Sequence, residues 1–141
     1  MTFLTRYNSR AFEPFFARFN FLDDVQPNGT WAPAVDVAED AHKISVKVEV
    51  PGMNESDLKV NFTDGVLTVS GERELERKED QNYHRIERAY GSFVRTFTLP
   101  RSVDSNGIVA NYKNGILEIE IPKKDDAKPK QIQINTNTLN A

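Results

Sequence analysis

Ile44-Ser45-Val46-Lys47-Val48-Glu49-Val50 sets four aliphatic residues at strict two-residue intervals, with polar or charged residues between them. Successive side chains of a β-strand point to opposite faces, so this stretch reads as a strand with one buried and one solvated face. The same period recurs in Leu58, Val60 and Phe62, which alternate with Lys59 and Asn61. It recurs again in Leu67-Thr68-Val69, Phe93-Val94-Arg95-Thr96-Phe97-Thr98-Leu99, Ile108-Val109-Ala110-Asn111-Tyr112 and Leu117-Glu118-Ile119-Glu120-Ile121. Pro51-Gly52, Asp64-Gly65, Pro100 and Asn114-Gly115 punctuate these runs where the chain must turn. Many short strands from about Val35 to Ile121, with no helical segment between them, argue against a parallel α/β architecture and predict an all-β fold, an antiparallel β-sandwich.

Outside this region the chemistry changes. Six of the nine phenylalanines, Phe3, Phe12, Phe15, Phe16, Phe19 and Phe21, lie in the first 21 residues. Phe12, Phe15, Phe16 and Phe19 follow the spacing of one helical face, which predicts a short amphipathic helix, too short to be stable alone. Asp23 to Thr30 then reads as a linker before Trp31. Between Gly71 and Gly91 the alternation lapses into Glu72-Arg73-Glu74-Leu75-Glu76-Arg77-Lys78-Glu79-Asp80. Such a run reads as a solvated loop, yet a loop of about twenty residues inside a compact domain is unusual and tends to be functional. Tyr83-His84-Arg85-Ile86 within it supplies material for one more short strand. After Pro122 the chain is polar and charged and is expected to be a flexible tether carrying Ile132-Gln133-Ile134. Ile132 and Ile134 would point to one side of an extended segment and so suit an apolar groove at a sheet edge. Three regions follow: an aromatic segment over residues 1–33, a sandwich over 34–122 and a C-terminal extension over 123–141.

Composition narrows the function classes. With 18 Lys and Arg against 21 Asp and Glu, the formal net charge of −3 does not point to nucleic acid. No apolar run reaches 18 residues, so no bilayer-spanning helix is expected, and without a secretory h-region a cytoplasmic address is the default. The chain has no cysteine, hence no disulfide, thiolate nucleophile or thiolate-bound metal. His42 and His84, the only histidines, sit among charged neighbours and lack a nucleophile or orienting partner, so they read as surface residues and not catalytic bases. No metal-ligand spacing, Ca loop, phosphate loop or dinucleotide fingerprint occurs, and no cofactor is expected. The protein is therefore expected to act by contact and not as an enzyme.

The quoted motifs in order resemble the small heat-shock protein, or α-crystallin, family across nearly the whole chain. Trp31-Ala32-Pro33-Ala34-Val35-Asp36-Val37 is similar to that family's entry into its domain, and Val50-Pro51-Gly52 with Asp57-Leu58-Lys59-Val60 to its first hairpin. Arg88-Ala89-Tyr90-Gly91-Ser92-Phe93 with Phe97-Thr98-Leu99-Pro100 resembles the strand after the long loop. Ala110, Gly115 and Leu117 match the A-x-x-x-x-G-x-L signature, and Ile132-Gln133-Ile134 the terminal I-x-I motif. The resemblance implies an immunoglobulin-like sandwich that dimerises by strand exchange, Tyr83, His84, Arg85 and Ile86 pairing with the partner's Val35 to Val37 edge. It also implies that the I-x-I tail docks between two edge strands of a neighbouring dimer, for which parity offers Leu58 and Val60 opposite Ile108 and Ala110.

A chaperone without a nucleotide site must expose apolar surface to non-native client chains and bury it reversibly in its own oligomer. The N-terminal phenylalanines are that surface, or the packing of the oligomer core, or both as alternative states; each contributes about 1.5–3 kcal/mol when buried. Arg95 shares the parity of Phe93 and Phe97, where a charge is out of place. Either its guanidinium reaches water at an edge, or it meets carboxylates across the dimer interface, as the resemblance implies. The rival readings are a monomeric p23-like co-chaperone, which would lack the tail motif and the strand-bearing loop, and, more remotely, a sandwich glycosidase.

Overall fold

A computed structural model describes residues 31–135 of the chain. The expected helix over Phe12 to Phe19 and the phenylalanines of residues 3–21 lie outside the described residues. Seven strands form: β1 (Val35–Glu39), β2 (Lys43–Glu49), β3 (Leu58–Thr63), β4 (Val66–Arg73), β5 (Gly91–Thr98), β6 (Val109–Lys113) and β7 (Ile116–Pro122). They make two antiparallel sheets, one ordered β1-β2-β7-β6 and the other β3-β4-β5. The alternation that defined the strands also fills the space between the sheets. Ile44, Val46 and Val48 of β2 and Leu117, Ile119 and Ile121 of β7 meet Leu67 and Val69 of β4 and Phe93 and Phe97 of β5. All ten are buried. The predicted all-β immunoglobulin-like sandwich is the observed fold.

The hairpins owe their tightness to local backbone chemistry. Asp64 and Gly65, at φ 51° and 78°, close β3 onto β4, and Asn114 and Gly115, at φ 54° and 77°, close β6 onto β7. Two-residue turns with both positions in the left-handed region match the twist of paired strands, and Asp-Gly and Asn-Gly adopt them most readily. The β1–β2 turn is tied differently, its Asp40 carboxylate accepting from the backbone N–H groups of His42 at 2.7 Å and Lys43 at 2.8 Å. These two bonds hold the Asp40 carboxyl below its ordinary range.

Two sequence readings need correction. Val50 to Val60 is not a hairpin: β2 lies in the first sheet and β3 in the second, so Pro51-Gly52 begins a crossover between sheets. The true first hairpin is β1–β2. A Pro-Gly pair ends a strand equally well whether the chain folds back or passes to the opposite layer, and only the partner strand decides. The charged stretch is also not wholly loop, because Glu72 and Arg73 still belong to β4, paired with Ser92 and Gly91 of β5.

The architecture leaves four strands at sheet borders, β1 and β6 in one sheet and β3 and β5 in the other.

Candidate functional site

The first candidate region is the end of the sandwich where the long loop, residues 74–90, leaves β4 and returns as β5. Arg73, the last residue of β4, is the one buried charged side chain among the described residues. Its Nε and Nη2 donate to the Ala89 carbonyl at 2.9 and 2.6 Å, and its Nη1 to the Pro51 carbonyl at 3.0 Å. The face of the guanidinium lies 4.0 Å from the centre of the Trp31 ring. Trp31 in turn donates from Nε1 to the Gly91 carbonyl at 2.9 Å and packs edge-on against Phe93 at 5.2 Å between ring centres. One cation thus gathers the entry to the domain, the β2–β3 crossover and the far end of the loop. No carboxylate is needed, since three carbonyl contacts and a ring face replace the lost hydration.

Held at its base, the loop carries Tyr83, His84, Arg85 and Ile86 outward, all exposed. Tyr83 donates its hydroxyl to the Glu76 carbonyl at 2.7 Å, and Arg85 forms an exposed pair with Glu87 at 3.1 Å. The four residues are not a strand in the single chain. The edge expected to receive them, β1, is paired among the described residues on one side only, by β2. Val35 and Val37 pack inward on the core, so what β1 offers outward is its backbone.

Arg95 sits on β5 opposite the buried Val69, on the core-facing side, as its parity required. Its guanidinium carbon lies 5.9 Å from the centre of the Phe97 ring, and its Nε is buried with no acceptor among the described residues.

The second candidate region joins the other two borders. Leu58, Val60 and Phe62 of β3 and Ile108 and Tyr112 beside and within β6 are half-buried side chains packed on the core from the two sheets, while Ala110 is exposed. The Tyr112 hydroxyl lies 2.9 Å from the Val50 carbonyl and 3.0 Å from that of Met53, free to donate to either. Ile132 and Ile134 are 82% and 90% exposed, far from any core of their own.

The sequence reading places several of these residues in strands or motifs but not in these roles. Arg73 continues the odd-numbered inward positions Leu67, Val69 and Gly71, and extending that parity past Gly71 would have found it. Phe62 and Tyr112 likewise continue the parities of Val60 and Ala110. Trp31 carried no periodic signal. Among the described residues no three His, Cys, Asp or Glu side chains gather as a metal site would require, and no helix is long and apolar enough to cross a membrane.

The described residues thus form a two-sheet sandwich with a long loop and a tail bearing two exposed isoleucines. The family model described as the Hsp20/alpha crystallin family matches residues 36–135. Small heat shock protein C4 of Rickettsia felis is 39% identical over 109 residues, covering 77% of this chain and 67% of that protein. Heat shock protein 16 of Schizosaccharomyces pombe is 40% identical over 106 residues, covering 73% of this chain and 74% of that one. The solved structure of a small heat-shock protein from Xylella fastidiosa superposes with a TM-score of 0.65 at 38% identity, covering 76% of this chain and 99% of that chain. The chain belongs to the Hsp20/alpha crystallin family, the small heat-shock proteins, whose members are stress-response chaperones.

The Arg73 clasp yields a direct test. Replacing Arg73 with Met leaves the Ala89 and Pro51 carbonyls without their donor, which should lower unfolding stability by about 1–3 kcal/mol. Trp31, the only tryptophan, reports the same event: its emission should shift to the red as its ring loses the cation and its fixed seat. Denaturant unfolding and fluorescence indistinguishable from those of the parent chain would contradict the clasp.

Proposed function

We propose that this protein is an ATP-independent holdase of the cytoplasm, which binds partly unfolded proteins and keeps them from aggregating, and which assembles as an oligomer of strand-exchanged dimers. The observation that supports the reading is that β1, β3 and β6 lie at sheet borders among the described residues while Tyr83 to Ile86 and Ile132 to Ile134 are exposed. An unpaired strand edge attracts any extended chain and is tolerated only where something covers it. In the proposed dimer the partner's Tyr83 to Ile86 adds to β1 beside Val35 and Val37, so that the loop becomes a strand only in company. Arg95 then finds its acceptors in the partner's acidic stretch between Glu72 and Asp80, which would satisfy a buried Nε that has no acceptor among the described residues. In the proposed assembly Ile132 and Ile134 of one dimer seat their side chains between β3 and β6 of another, against Leu58, Val60, Ile108 and Ala110, with Phe62 and Tyr112 extending the apolar floor. Phe3, Phe12, Phe15, Phe16, Phe19 and Phe21 supply apolar surface for clients. The family membership supports the chaperone role, and the absence of nucleotide motifs in the sequence suits a mechanism driven by burial alone.

The activity is tested by heating a model client with and without the protein in the absence of nucleotide. Light scattering should fall as protein is added, and unchanged scattering at equimolar subunits would overturn the proposal. In the same experiment Ile132→Gly/Ile134→Gly should accumulate as dimers by native mass spectrometry with the sandwich intact. An unaltered large assembly would remove the tail from the account.

Arg95→Ala is expected to weaken subunit pairing, and so to speed subunit exchange by about tenfold or more, whereas Arg101→Ala, at an exposed turn, is expected to leave it unchanged. Equal exchange rates for the two variants would return Arg95 to the solvent edge.

A further inference from the structure

The tail does not become free where the sequence turns polar. Lys123, the residue after β7, is clamped on both sides. Its backbone N–H donates to the His42 carbonyl at 2.8 Å on one flank, and it bridges Val103 on the other. The Lys124 N–H donates to Ser102 at 2.7 Å, and Asp104 donates to Pro122 at 2.8 Å. The Lys123 ammonium reaches across the end of β2 to the Glu39 carboxylate at 2.7 Å and donates to the Asp40 carbonyl at 2.8 Å. These two side chains are only 14% and 12% exposed. By contrast the Lys43 and Glu120 side chains, paired on the outer face of the same sheet, are 40% and 42% exposed. The exposed pair is screened by water and contributes little. The sheltered pair is different in kind, because removing either partner leaves a charge away from water without its counterion.

Beyond Lys123 the chain makes one more fixed turn, Asp125–Ala127, closed by the Ala127 N–H on the Lys124 carbonyl at 2.9 Å and by the Lys128 ammonium on Asp125 at 2.9 Å. From Pro129 to Asn135 no hydrogen bond ties the tail to the other described residues. The free span to the first isoleucine therefore starts near Lys128 and measures at most about 14 Å, against about 36 Å were the chain loose from Ile121. A long tether samples every direction, but a short one reaches only the sector its base points into. The base decides which neighbouring surface Ile132 and Ile134 can meet.

We propose that the Glu39–Lys123 pair is a positioning device for assembly, aiming the tail toward a second copy of this chain. Glu39 is the last residue of β1, the same strand whose outer edge has no paired strand among the described residues. The pair thus joins the root of the tail to the strand proposed to carry the dimer contact, and fixes the angle between the two interfaces. The inference rests on the tail-docking reading given above.

The test is a double-mutant cycle on the full-length protein, read by native mass spectrometry and subunit exchange, with far-UV circular dichroism as the check on folding. Lys123→Met should broaden the distribution of assembly masses and speed exchange about tenfold, while Lys43→Met, which breaks the exposed pair, should match the parent. In the Ile132→Gly/Ile134→Gly background Lys123→Met should change neither mass nor exchange, because a tail that does not dock has nothing to aim. Should Lys123→Met fail to fold, Glu39→Gln removes the charge at nearly constant volume, and the swap Glu39→Lys/Lys123→Glu should restore the parent distribution. If the isoleucine variant dissociates but Lys123→Met and Glu39→Gln behave as the parent, the positioning role is overturned and docking stands. If the isoleucine variant itself keeps the parent assembly, docking and positioning are both overturned. Equal effects of Lys123→Met in the two backgrounds would mark the pair as ordinary stabilisation of the sandwich and also overturn the proposal.

Discussion

A strand can bury every apolar side chain it carries and still leave a row of backbone N–H and C=O groups with no partner. Two sheets of four and three strands packed face to face do not close on themselves, so among the described residues β1, β6 and β3 each lie at a sheet border with one paired side. An open row of this kind pairs with whatever extended chain approaches it. For most proteins that is a hazard to be blocked with charge, proline or a covering helix. In this family member the segments proposed to cover the rows are carried on arms, one in the loop after β4 and one beyond β7. The proposed activity and the proposed assembly are thus two answers to one constraint, with self-pairing in the oligomer competing against the capture of other chains.

An arm useful for such exchange must be free at its tip and fixed at its base. The two bases use the same physical device, a cation sheltered from water and held by protein oxygens. At the loop, Arg73 gives all its nearby donors to the carbonyls of Ala89 and Pro51 and lays its face on Trp31. At the tail, Lys123 is neutralised by Glu39 and bonded to the Asp40 carbonyl. Hydrophobic contacts tolerate sliding, whereas a buried cation has few arrangements that satisfy it and a steep penalty for the rest. Such groups fix direction even where they add little net stability. The tips, by contrast, carry Tyr83, Ile86, Ile132 and Ile134 in the open.

The strands were legible because a period of two follows from backbone geometry alone and needs no knowledge of the partner. Ile44 to Val50 and Leu117 to Ile121 therefore read correctly, and so did Arg95, whose inward parity survived in the structure opposite Val69. Which strand lies beside which was less legible. Pro51-Gly52 ends β2 with the same residues that would begin a hairpin, and the passage to the other sheet is settled by long-range packing. Charge misled in two places. Arg73 stands between glutamates and Lys123 opens a run of lysines and aspartates, so composition assigned both to solvent. The acceptors that hold them, on Ala89, Pro51, Glu39 and Asp40, lie 16, 22, 84 and 83 residues away along the chain. No local window contains that information. The resemblance of motifs implies a docking tail, and parity offers a groove for it, but the fixed root of the tail has no motif.

The claim at the centre is that β1 is an edge only in the isolated chain. Amide hydrogen exchange, resolved over Val35 to Glu39 and Tyr83 to Ile86 in the intact assembly, measures it directly. The outward-pointing amides of β1 and those of the loop segment should exchange slowly and in step, because each supplies the other's hydrogen bonds. Rapid exchange of both segments in an assembly of full size would contradict the account, since the border would then be open to water after all and the subunits held by something else.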